Sequence, residues 1–292
     1  MLEIVSSFLF CVLIPFIVMG MLMRSLTQTA PTTENYRGTL VYPSLGIVWF
    51  IWLISLWAGA HFLVALRFEQ PLWVAYIVPL FPLIAGSCAL GLFDDLVGDK
   101  SVKGFRGHMR ALLHGRLTTG GLKMTGIGLL SLFTAVSLYW TGISSLPRIV
   151  LVTCVIALMA NLVNQFDLRP GRAGKVYSIG LALALLGIVL SPIIHLDWTA
   201  IVAVALIGIG PLVAVSRFDL GEKGMLGDAG ANSMGAFLGF IYATSLSLIV
   251  LSIVTIILLV LTIIGERFSF SRLIEGNRVL RAVDKLGRKD II

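Results

Sequence analysis

The chain has 292 residues, 58% of them hydrophobic and only 13% charged, with a mean hydropathy of +0.97. A soluble fold carries roughly 25% charged residues, and one this poor in polar surface could not cover itself, so the composition excludes a water-soluble globular domain. The net charge of +7 does not point to nucleic acid, because the basic residues lie between apolar runs, where they indicate membrane topology, phosphate binding or both.

In chain order, apolar runs predict membrane spans near 3–23, 45–66, 72–93, 122–140, 147–166, 176–194 and 199–216. Glu3 precedes the first run and no small-residue cleavage site follows it, so that run is read as a retained span. The stretch 231–265 is long for one span and short for two. Two helices of about 16 residues would each cover only about 24 Å. A turn near Tyr242 to Ser247 is the preferred reading. The fold class is therefore all-α: a polytopic helical membrane protein with about nine transmembrane helices and cytoplasmic site loops. Residues 1–265 form the transmembrane helical domain and 266–292 a basic, amphipathic cytoplasmic tail.

Orientation follows from lysine and arginine. With the N-terminus outside, all 22 of them except Arg67 and Arg148 fall on the cytoplasmic side. A single span over 231–265 would put the tail's positive charges outside, so the charge pattern also favours two spans there. Cys11, Cys88 and Cys154 sit inside apolar runs without CxxC spacing, which suits packing rather than disulfides or metal.

The acidic residues carry the chemistry. Asp94 and Asp95 close the third run, Asp167 follows the fifth in Asn161-Leu-Val-Asn164-Gln-Phe-Asp167, and Asp228 stands before the eighth in Gly224-Met-Leu-Gly-Asp228-Ala-Gly-Ala-Asn232. Each alone could be a solvated interfacial carboxylate. Together, at membrane depth, they predict a magnesium-phosphate site, because a hard cation relieves paired carboxylates and shares them with substrate phosphates. Glycines around Asp228 leave backbone amides free for an anion at a helix start. Lys103, Arg106, His108, Arg110, Arg116 and Lys123 add positive charge after Asp94-Asp95, for lipid headgroups or substrate phosphate alike.

This order of motifs, with the early Pro31-Thr-Thr-Glu-Asn-Tyr-Arg37-Gly38 and Pro43, resembles the polyprenyl-phosphate N-acetylhexosamine-1-phosphate transferases over most of the chain. This glycosyltransferase family 4 type includes phospho-N-acetylmuramoyl-pentapeptide transferase and UDP-N-acetylglucosamine-1-phosphate transferases. The resemblance implies transfer of a sugar-1-phosphate from a UDP-sugar to a polyprenyl phosphate. The transfer depends on Mg²⁺ and releases UMP at the cytoplasmic face of the cell (inner or plasma) membrane, in cell-envelope glycan synthesis. It assigns Asp94, Asp95 and Asp228 to metal and catalysis, and Asn161, Asn164 and Asp167 to the nucleotide. It implies no nucleic-acid partner, and leaves room for a homodimer or an envelope-assembly partner. A non-catalytic relative that binds lipid phosphate or scaffolds such a partner is the alternative.

Two departures stand out. The family continues Asp-Gly-x-Asp-Gly where this chain has Asp167-Leu-Arg169-Pro-Gly-Arg172, so a carboxylate is lost and two guanidiniums appear. At least one of Arg169 and Arg172 is expected to meet an anionic group of the donor, the alternative being ordinary positive-inside charge. The histidine-rich motif is replaced by Glu266-Arg267-Phe-Ser-Phe-Ser-Arg272-Leu-Ile-Glu275-Gly-Asn277-Arg278. That tail reads either as an interfacial amphipathic helix or as a lid whose Arg272, Asn277 and Arg278 touch substrate.

Overall fold

Eight helical stretches among the described residues are long and apolar enough to cross a membrane, and sheet is confined to one short hairpin. The computed structural model describes residues 1–29, 32–66, 72–98, 102, 104–140, 142, 145–190 and 196–288. Arg67, Lys100, Lys103 and His195 lie outside these. The first span joins α1 (Leu2–Ser7), a π-helical stretch (Phe8–Leu13) and α2 (Ile14–Thr29). A hairpin of β1 (Thr33–Glu34) and β2 (Leu40–Val41) follows, with Thr33 opposite Val41. The remaining helices are α3 (Val48–Ala65), α4 (Leu72–Val97), α5 (Gly104–Leu113), α6 (Thr119–Trp140), α7 (Arg148–Phe166), α8 (Arg172–Val189), α9 (Trp198–Asp219), α10 (Gly227–Ser245), α11 (Leu248–Arg267), α12 (Phe270–Gly276) and α13 (Arg278–Lys285).

The 231–265 stretch does break at Leu246 and Ser247, but neither half is short. Helix α10 starts at Gly227 and α11 ends at Arg267, so their 19 and 20 residues each span about 29 Å and need no thinned bilayer. The two helices obey opposite solvents. Every residue of α10 from Ala229 to Ala243 is buried, whereas Leu251 and Leu258 are the buried residues of α11. Helix α10 is surrounded by protein and can afford Asn232, Ser233 and four glycines; α11 faces outward and is almost wholly aliphatic.

Small residues bring α10 against its neighbours. Helices α7 and α4 pack along it most extensively. A Cβ on Gly235 would run into the Met159 carbonyl and the Ala160 backbone, and one on Gly239 would stand 2.5 Å from Ile156 Cα. At the other end Arg148 donates to the carbonyls of Ala243 (2.8 Å) and Leu246 (2.7 Å), closing the C-terminus of α10. Helices α7 and α10 are thus antiparallel, and Arg148 has a packing task beyond topology. Gly235→Ala is expected to cost about 1–3 kcal/mol by forcing these backbones apart. The readout is a lower unfolding temperature in detergent, with Gly128→Ala, which has open space around it, as the unchanged control.

A second adjustment centres on Pro211 inside α9. Proline has no N–H to give the carbonyl four residues earlier. That carbonyl, on Ile207, instead accepts from Trp52 Nε1 at 3.0 Å, while Tyr177 donates to Gly208 O at 2.5 Å. Trp49, Trp52, Tyr177 and Phe237 meet in edge and tilted ring contacts, tying α3, α8, α9 and α10 into one core. Cys11 and Cys88 are buried in that core and unpaired.

Candidate functional site

The carboxylates predicted from sequence converge at one end of the bundle, and each is placed by a helix terminus. Gly91 on α4 lies against α10, where a Cβ would stand 2.5 Å from Ala229 Cα. One turn later Asp95 therefore reaches the start of α10. Its two carboxylate oxygens accept the backbone N–H groups of Asp228 (2.8 Å) and Ala229 (3.1 Å). Leu226, the residue preceding α10, offers no side-chain cap, so Asp95 caps this helix from a neighbouring one. Gly227 has φ +71°, and a Cβ there would stand 2.6 Å from the Asp95 carboxylate, so two constraints call for glycine.

The approach to α10 is held by the hairpin strap. Asn35 Oδ1 accepts the N–H groups of Arg37 (2.8 Å) and Thr39 (3.0 Å), closing the turn. Tyr42 bridges in parallel to Gly224, and the N–H groups of Leu45 and Gly46 donate to the carbonyls of Met225 (2.8 Å) and Leu226 (3.0 Å). Asn35 also donates to Glu222 at 3.2 Å, and Arg37 pairs with it at 3.5 Å. The strap over residues 32–46 thus supports the Asp228 segment by backbone pairing at Tyr42, Leu45 and Gly46.

Asp94 and Asp228 meet through a lysine. Lys123, on the first turns of α6, donates to Asp94 Oδ2 at 2.7 Å and to Asp228 Oδ2. Thr118 orders that turn by accepting the Gly121 N–H at 3.0 Å, and His108 from α5 braces Thr118 at 2.8 Å. Asn232 donates to the Asp228 carbonyl at 2.6 Å. Two carboxylates from different helices thus already converge on one cationic centre. Their hard oxygen donors suit Mg²⁺, which takes one or two carboxylates beside substrate phosphates. Asp95, expected with them as a metal ligand, has its two carboxylate oxygens on the amides of α10 instead of on Lys123.

Asp167 follows α7, its N–H on the Asn164 carbonyl at 3.1 Å. Burial, then the charges of Asp219, Asp228 and Asp95, hold its carboxyl well above the ordinary carboxylate range, partly offset by the Gly227 N–H. Asn161 and Asn164 are half-buried on the last turns of α7, and among the described residues neither side-chain amide is hydrogen-bonded. Asp219 was not among the sequence candidates. It is buried at the end of α9 and accepts the Gly171 N–H at 2.7 Å, fixing the turn between α7 and α8. An acidic residue closing an apolar run is the same signal that marked Asp94 and Asp95.

Both arginines that follow Asp167 are paired within the chain, Arg172 in the interior and Arg169 nearer the surface. Arg172 is 3% exposed and forms a two-pronged pair with Asp284 of the tail, at 2.9 and 3.0 Å, with a further bond to Ser271 at 2.8 Å. Its donors are consumed inside the protein, so it does not offer the free guanidinium that the sequence suggested. Arg169 pairs with Glu275 and lies 5.2 Å over the Tyr36 ring. Arg272 is exposed on α12. The tail itself is docked: Phe270 stacks on Phe166 at 4.5 Å, and Arg288 reaches the Pro170 carbonyl at 2.8 Å.

No family model matches the chain, and no curated protein matches it.

Proposed function

We propose that the chain transfers a sugar-1-phosphate from a UDP-sugar to a polyprenyl phosphate at the cytoplasmic membrane face, releasing UMP. The observation that carries this reading is the convergence of Asp94, Lys123 and Asp228 from three helices at one end of a membrane bundle, beside an α10 terminus fixed by Asp95. The order of the acidic motifs along the chain, and the lysine and arginine asymmetry that orients this end inward, support it.

Phosphoryl transfer asks little covalent chemistry of a protein and much positioning and charge neutralisation. Asp94 and Asp228 would hold Mg²⁺, which when bound neutralises and aligns the phosphates. Asp95 keeps the Asp228 backbone at the mouth of the site, and Lys123 holds both carboxylates together while contributing positive charge. The acceptor phosphate is already anionic near neutral pH, so no strong base is required. Asn161 and Asn164 offer free amides to a nucleotide, and Asp167 lies beside them. The bundle's outer aliphatic faces, α11 above all, keep the site at the depth where a lipid phosphate presents itself.

A second reading has its own observation. Lys123 already meets the charge of Asp94 and Asp228, so a relative that binds lipid phosphate without turnover would need no metal. Release of UMP from a panel of UDP-sugars, with polyprenyl phosphate and Mg²⁺, separates the two. Turnover with at least one sugar is the expected result. Absence of UMP across the panel, with polyprenyl phosphate still bound, leaves the second reading standing.

A further inference from the structure

The docked tail closes a cavity of about 160 Å³ against the hairpin and the α7–α8 turn, and none of its lining residues belongs to the Asp94–Lys123–Asp228 cluster. Five cations line it: Arg37, Arg169, Arg281, Lys285 and Arg288. Three carboxylates answer them: Asp284 and Glu275 in the lining, and Glu222 outside it, which pairs with Arg37 at 3.5 Å. Asp284 is buried and committed, since Arg172 and Arg288 both donate to it and Lys175 donates to its backbone carbonyl at 2.6 Å. Glu275 is 46% exposed and pairs with Arg169 at the surface, where ion pairs are weak and readily exchanged. Arg281 and Lys285, one turn apart on α13, have no carboxylate partner among the described residues.

The cavity therefore carries a surplus of positive charge in a confined space. Tyr36 holds two of the guanidiniums, with Arg37 and Arg169 each 5.2 Å from its ring centre. Burial, with Asp284 and Tyr36 opposing it and Arg172 and Arg169 adding to it, lowers the proton affinity of Arg288, as expected where cations crowd. Planar guanidiniums grip phosphate oxygens in pairs, and a multiply charged anion relieves the mutual repulsion of several at once. We propose that this cavity binds a phosphate anion of two or more charges, a free oligophosphate or a phosphate-rich lipid headgroup. The anion displaces Glu275 and ties the hairpin, the α7–α8 turn and α13 together. The site works without a metal and does not depend on turnover at the carboxylate cluster.

The probe is inorganic pyrophosphate, titrated calorimetrically into the full chain in detergent with EDTA present. Wild type is expected to bind, Arg281→Gln/Lys285→Gln to bind at least tenfold more weakly, and Asp228→Asn to bind as wild type does. Both substituted cations are exposed, so folding is not at stake, and Arg281→Lys/Lys285→Arg should retain binding. Hydrogen exchange of α13 identifies the source: protection in nanodiscs of phosphate-rich anionic lipid marks a headgroup, and protection by pyrophosphate in neutral nanodiscs marks a soluble anion. No heat with wild type, an unaffected Arg281→Gln/Lys285→Gln double variant, or loss of binding in Asp228→Asn would each overturn the assignment.

Discussion

Asp228→Asn is expected to lower UMP release by about a hundredfold or more, equivalent to about 3 kcal/mol of transition-state stabilisation, while the protein stays folded. The structure separates the two outcomes. Asp95 caps α10 through the backbone N–H groups of residues 228 and 229, and those bonds do not involve the Asp228 carboxylate. Asn232 holds the Asp228 carbonyl, again a backbone group. The substitution therefore removes one of the two negative charges that converge on Lys123 and leaves Asp94 to hold the ammonium at 2.7 Å. Turnover measured beside an unfolding curve in detergent reads both terms. Unaltered turnover with metal dependence intact would take Asp228 out of the mechanism.

The polytopic helical class was legible because lipid demands long apolar helices: seven of the runs map directly onto helices, and among the described residues eight stretches rather than about nine are long and apolar enough to cross, α10 not being among them. What hydropathy did not mark is where the helices end. Helix α4 runs to Val97, α6 begins at Thr119, α8 at Arg172, α9 ends at Asp219 and α10 begins at Gly227, each beyond the apolar run that announced it. Backbone hydrogen bonding continues past the hydrocarbon edge, so Asp94, Asp95, Arg172 and Asp228, which stand just beyond the ends of the apolar runs, lie on helical turns. Helix α10 was legible through the length of the 231–265 stretch and the charge of the tail beyond it rather than its own hydropathy, since a helix packed inside others answers to neighbouring backbones rather than to lipid.

At the candidate site, sequence order singled out Asp94, Asp95 and Asp228 together but not their different partners in the fold. That difference depends on Gly91, a residue without chemistry of its own, which sets how closely α4 approaches α10. The pairing of Arg172 with Asp284 was illegible for another reason: 112 residues separate the partners, and no local pattern links them. Counted by topology, Arg172 and Arg148 are alike as charges beside spans. In the fold one anchors the tail and the other closes α10.

Asp284→Asn is expected to release the tail, at a cost of about 3–5 kcal/mol in docking free energy, because removing one partner of a buried ion pair strands the others. Three cations depend on that carboxyl group or its backbone: Arg172, 3% exposed; Arg288, whose side chain is 5% exposed; and Lys175. Burial alone would raise the Asp284 pKa. The hydrogen bonds from Arg172 and the charges of Arg172, Arg288 and Lys175 outweigh it and hold the carboxyl below its ordinary range. A carboxylate with a depressed pKa contributes its stability above the unfolded value and loses it as pH falls through the folded one. Docking is therefore fully present at neutral pH and weakens only in acid below the ordinary carboxylate range, and Asp284→Asn should mimic that acid state at pH 7. Hydrogen exchange of α12 and α13 measures the release, with the amides of α10 as the internal reference. Replacing Arg172 by Met in the Asp284→Leu background should recover part of the protection, since an apolar pair leaves fewer buried charges unmet. Equal exchange in wild type and Asp284→Asn would show instead that the Phe166–Phe270 stack holds the tail without the ion pair.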